Sequence, residues 1–95
     1  MAMMHNPPHP GELIQETIEE LGISARKLAQ ALDVAPSTVQ RVLKQKAAVS
    51  PEMALRLSVV IGSSAHVWLG MQDAYDLWHA RENLDLSHLS KLNWA

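Results

Sequence analysis

Cysteine is absent from this 95-residue chain, so disulfides, thiolate nucleophiles and thiol switches are excluded, and stability must come from packing or association. No apolar run comes near the roughly 20 residues of a membrane-crossing helix. The opening MAMMHNPPHP has neither the basic region nor the apolar stretch of a secretion signal, so the chain is expected in the cytoplasm. Strand-period alternation, internal repeats and low-complexity tracts are also missing, which leaves an all-α class. One absence is local: between Val34 and Glu52 there is no acidic residue.

What is present is a globular composition, 47% hydrophobic and 19% charged, sufficient for one small domain with a single core. The net charge of −2 hides an uneven distribution. Residues 1–23 carry four Glu and no Lys or Arg. Residues 24–56 carry Arg26, Lys27, Arg41, Lys44, Lys46 and Arg56 against Asp33 and Glu52, and residues 57–95 are mildly acidic again. A basic middle between acidic ends fits either a nucleic-acid contact or merely uneven solvated helix faces.

Five helices are predicted. The Pro-rich "NPPHPGE" cannot be helical before Pro10, and residues 1–9 are expected to form a flexible arm. A first helix carries Leu13, Ile14, Thr17, Ile18 and Leu21 on one face and ends at Gly22. Ser24 caps a second, with Ala25, Leu28, Ala29 and Leu32 inside. After a break at Asp33-Val34-Ala35, Pro36 opens a third with the stripe Val39, Val42 and Leu43. Ser50-Pro51 opens a fourth, lined by Met53, Leu57 and Val60, that stops at Gly62. Ser64 caps the fifth and longest, running to about Asn83, and Asp85 or Ser87 could cap one further short turn. Residues 10–62 thus form the core unit, and residues 63–95 form a C-terminal helix for dimerisation and core cover.

Two short helices joined by a tight turn, the first buried and the second displaying polar groups, make a helix-turn-helix pattern. On a helical wheel with Val39 at zero, Val42 and Leu43 fall within about 60°, whereas Ser37, Arg41 and Lys44 cluster opposite, flanked by Thr38, Gln40 and Gln45. That arc is free of acids, as insertion beside phosphates requires. The N-terminal part of such a helix meets base edges, so Pro36, Ser37, Thr38, Gln40 and Arg41 are the base-reading candidates, with Arg41 able to bond guanine O6 and N7 together. Lys44 and Lys46, with Ser24, Arg26 and Lys27 at the start of the second helix, suit phosphates. One such unit reads few base pairs, so a two-fold homodimer is expected. On the fifth helix Trp68, Met71, Tyr75 and Trp78 form one stripe and Leu69, Leu77 and Leu84 another. The aromatic stripe is the candidate dimer interface, although it could equally cover the domain's own core.

The stretch His9 to Leu77, with its HPGE opening, LAQAL, APSTVQRVL and WLGMQDAYDL, resembles the HigA-type antitoxins, a branch of the Cro and phage-repressor helix-turn-helix group. The resemblance implies a dimeric DNA-binding repressor of its own operon that neutralises a HigB-type ribonuclease toxin by direct binding. Two positions depart from the family pattern. Asp33 stands where Gly is common in the turn, and Lys44-Gln45-Lys46 replaces Asn-Gly-Lys, followed by Ala47 and Ala48 where basic residues are frequent. The first preserves the turn, since Asp tolerates a left-handed backbone. The second implies weaker or more salt-sensitive phosphate contact. No cofactor, metal or membrane partner is expected, and no enzymatic role.

Competing readings are an enzyme, a stand-alone regulator without a toxin, or an interaction module that has lost DNA binding. For the first, His5, His9 and Glu12 straddle the Pro-rich opening without a ligand-like spacing or a second cluster. Asp76 and His79 have no nucleophile beside them. His66, beside the aromatic stripe, reads as a packed or interfacial side chain.

Overall fold

A computed structural model describes residues 6–93, and within them the chain is all-α. Helices α1 (Pro10–Leu21), α2 (Ala25–Leu32), α3 (Pro36–Leu43), α4 (Pro51–Val60) and α5 (Ala65–Asn83) follow in order. Their starts are set by capping chemistry. Ser24, Ser50 and Ser64 each accept the N–H three residues ahead at 3.1 Å, from Lys27, Met53 and Val67. Pro10, Pro36 and Pro51 occupy first-turn positions, where a missing N–H forfeits no helical bond. Helices α1 and α2 end on left-handed backbone, taken by Gly22 at φ 70 and Asp33 at φ 59. Among the described residues no helix is long and apolar enough to cross a membrane.

The core gathers Ile14 and Ile18 of α1, Leu28, Ala29 and Leu32 of α2, Val39 and Val42 of α3, Met53, Ala54 and Leu57 of α4, and Trp68 of α5, with Val49 from the connection before α4. Helix α5 lies mainly against α4 and touches α1. The Trp68 indole Nε1 donates to the Gly62 carbonyl at 2.9 Å, so the ring is buried without leaving its one donor unpaired.

Three expectations need correction. Leu13, Leu21 and Val60, assigned to the inner stripes of their helices, are exposed, while Ile14, Ile18, Met53 and Leu57 of the same helices fill the core. His9, assigned to an arm, is 2% exposed and belongs to the fold. After Leu84 the chain makes a turn rather than a capped helix: Asp85 Oδ1 accepts from the Ser87 N–H at 3.0 Å, and the Leu89 N–H donates to Leu86 at 3.0 Å. Residues 1–5, and His5 with them, lie outside the described residues.

Candidate nucleic-acid interface

The turn between α2 and α3 is held from both sides. Asp33 adopts φ 59, ψ 47, and its N–H returns to Ala29 and Gln30. From α4, Arg56 Nη1 donates to the Leu32 carbonyl at 2.8 Å and the Asp33 carbonyl at 3.3 Å, satisfying acceptors that the end of α2 leaves open. Glu52 pairs with Arg56 at 3.2 Å and keeps the guanidinium in place. Arg56 therefore serves the turn, not a ligand.

With the turn fixed, α3 buries Val39 and Val42 and half-buries Leu43, which turns Pro36, Ser37, Thr38, Gln40 and Arg41 outward and exposed. Ala35 caps α3 without a side-chain bond, so the positive end of the helix faces solvent at the same place. Lys44 and Lys46 are exposed just beyond α3, and Ser24, Arg26 and Lys27 are exposed at the start of α2. Arg26, Lys27, Arg41, Lys44 and Lys46 engage no carboxylate among the described residues. The surface thus joins unpaired cations to hydroxyl and amide groups that can both donate and accept.

The loop after α3 is built by Gln45, which takes the left-handed conformation at φ 61 that Gly would adopt more easily. The Lys46 N–H donates back to Arg41 at 2.8 Å, closing the end of α3. Helix α1 braces this end. His9 Nδ1 accepts the Gly11 N–H at 2.9 Å, which caps α1 and fixes the neutral tautomer carrying its proton on Nε2. The ring also bonds the Ala47 backbone and meets Tyr75 edge-on at 4.9 Å. Burial holds its pKa below the ordinary value, against the opposing pull of that backbone bond and of Asp76 and Glu12. A Cβ at Gly11 would run into the Val42 carbonyl, so the His-Pro-Gly sequence lets α1 meet α3 backbone to backbone. His9 is an N-cap, not a ligand.

Of the two readings of the aromatic stripe on α5, dimer interface or cover for the domain's own core, its placement fits core cover. Trp68 is 1% exposed and Tyr75 lies between His9 and His79, while Met71 and Trp78 are half-buried at the margin. The Trp78 indole Nε1 is enclosed and has no acceptor among the described residues. The outward side instead carries Val67 (50% exposed), Gly70, Ala74 and Leu77 (53% exposed), at alternating steps of three and four. Of the remaining candidates, Asp76 accepts from Gln72 Nε2 at 3.0 Å and His66 is exposed. Sequence reasoning missed the roles of His9, Arg56 and Gln72. Only His9, directly ahead of Pro-Gly-Glu, had a local signal as a cap.

Comparison with known proteins agrees with this geometry. The Helix-turn-helix family matches residues 14–68. An uncharacterised HTH-type transcriptional regulator, YddM of Escherichia coli, is 51% identical over 89 residues, covering 94% of this chain and 95% of its own. The solved antitoxin GraA superposes with a TM-score of 0.88 at 38% identity, over 94% of this chain and all of that one, and GraA in complex with its operator gives 0.83 at 36%, over 99% of each. The antitoxin HigA of Pseudomonas aeruginosa, solved with the higBA promoter, gives 0.78 at 36%, over 81% of this chain and 85% of that one. The chain belongs to the helix-turn-helix family, among the HigA-type antitoxins of the Cro and phage-repressor group.

Proposed function

We propose that this protein is an autorepressing antitoxin: it binds its own operator through α3 and neutralises a HigB-type ribonuclease in the cytoplasm. The observation that carries the DNA half is the outward, acid-free side of α3 joined to exposed cations at its end and at the start of α2. Arg41 reads a guanine, and Ser37, Thr38 and Gln40 contact neighbouring base edges beside Pro36. Lys44, Lys46, Ser24, Arg26 and Lys27 hold phosphates and set the register. The operator complexes of GraA and HigA support the same mode for this chain. The toxin half rests on kinship with proteins named as antitoxins.

The protein acts as a two-fold dimer on half-sites about 34 Å apart. Support comes from α5, which is apolar on the side turned away from Trp68 and Gln72 as well as towards them, and a helix apolar on both sides is normally covered on both. The space beside Gly70 is open, so a second helix could approach α5 closely there.

Footprinting on the DNA upstream of its own reading frame, with co-purification of the adjacent gene product, tests both halves. Protection of a two-fold site and capture of a ribonuclease are the expected results. Protection without capture leaves a stand-alone regulator, and no protection at low salt removes the repressor.

A further inference from the structure

A buried amide on α5 is tied to the loop that follows the proposed recognition helix. Gln72 is 4% exposed, and a Leu or Met would fill its place without burying polar atoms. Its Oε1 accepts the Val49 N–H at 2.9 Å and its Nε2 donates to Asp76 Oδ1 at 3.0 Å, so both ends of the amide are used. Val49 is itself in the core, and among the described residues its N–H has no other acceptor.

We infer that Gln72 is a positioning residue for DNA contact: by holding Val49 it sets the path of residues 44–49 and hence where Lys44 and Lys46 meet phosphate. This rests on the assignment of those lysines to the DNA backbone. The loop needs such a hold. Gln45 sits in a left-handed conformation unfavourable for its side-chain type, and although the Lys44, Gln45 and Lys46 N–H groups bond back to Gln40, Val42 and Arg41, the stretch from Ala47 to Val49 has no backbone bond of that kind among the described residues. Two points fix its backbone to the scaffold: Ala47 through His9, whose ring rests on Tyr75, and Val49 through Gln72, three residues earlier on the same helix. Without Gln72 the Val49 N–H would be buried and unpaired. Its cheapest remedy is to swing the loop towards water, carrying Lys44 and Lys46 with it.

The test is the dependence of DNA affinity on salt, measured on duplex DNA from upstream of the gene, for Gln72→Leu, for Gln72→Glu with Asp76→Asn, and for each Gln72 form in a Lys44→Ala/Lys46→Ala background. Gln72→Leu should keep the helical spectrum, exchange its Val49 amide faster, and bind all duplexes more weakly with a salt slope lower by about one to two. Gln72→Glu with Asp76→Asn exchanges donor and acceptor between the pair and keeps the acceptor for Val49, so it should restore the slope. In the Lys44→Ala/Lys46→Ala background Gln72→Leu should change the slope no further. If Gln72→Leu does not fold, Gln72→Glu with Asp76→Asn must still retain the full slope, because it keeps the acceptor for Val49 and a donor within the pair. An unchanged slope in folded Gln72→Leu, an equal loss with the lysines already removed, or a reduced slope in folded Gln72→Glu with Asp76→Asn overturns the inference alone. Absence of salt-dependent binding by the unaltered protein removes the phosphate assignment, and the inference with it.

Discussion

Arg41 projects from the exposed side of α3 and supports nothing in the core, so Arg41→Ala should leave stability unchanged while discrimination for the operator falls by about 1–3 kcal/mol. Competition binding with operator and scrambled duplexes measures the difference. Gly11 stands at the opposite extreme, since it touches no ligand yet leaves no room for a Cβ beside the Val42 carbonyl. Gly11→Ala should therefore destabilise by about 1–3 kcal/mol in urea unfolding, because either α1 or the end of α3 must move. His9 adds a dependence on pH. Its folded pKa lies below the ordinary 6.5, so below that value the unfolded chain takes up a proton that the folded chain refuses. Stability is complete above about pH 6.5 and declines as pH falls through the window between the ordinary value and the lowered one. The urea midpoint should fall over that window, and less steeply for His9→Asn, whose amide can cap α1 without titrating. An equal fall in both proteins would place the pH dependence elsewhere.

Elements explain what could be read from the sequence and what could not. The starts of α2, α4 and α5 were legible because Ser24, Ser50 and Ser64 act on N–H groups three residues away, within reach of any local reading. The break at Asp33 and the stripe of α3 were equally local. Bonds spanning 23 or 24 residues, from Arg56 to the end of α2 and from Gln72 to Val49, are set by tertiary packing and leave no periodic trace. Helix α5 left two readings open for a different reason. Periodicity divides a helix into faces but cannot say which face turns inward when both are apolar, and the larger aromatic side chains went to the core because they bury more area there. The loop after α3 offers a quantitative check at this scale. A left-handed residue other than Gly costs about 1–2 kcal/mol, offset in part by the chain entropy that Gly loses on folding. Gln45→Gly should therefore raise stability by about 0.5–1 kcal/mol, measured by thermal unfolding, with the length of the loop unchanged.

For the molecule as a whole, folding depends on the inner side of α5, and the proposed assembly would use its outer side. Trp68→Ala opens the core where α4 and α5 meet and should cost about 3–5 kcal/mol, a large share of the total stability of a small domain. Leu77→Glu alters an exposed position and should leave the fold intact while sedimentation shifts from dimer to monomer and operator affinity drops. A folded Leu77→Glu protein that still sediments as a dimer would move the interface away from α5. The central claim is that the exposed side of α3 lies in a groove of duplex DNA, with Arg41 reading sequence and the flanking lysines reading charge. The most direct measurement is the affinity of the intact protein and of Arg41→Ala for the upstream operator and a scrambled duplex across a salt series. The account predicts that both proteins keep nearly the same salt slope on scrambled DNA, while only the intact protein prefers the operator. Retained operator preference in Arg41→Ala, or an affinity that does not respond to salt, would contradict it.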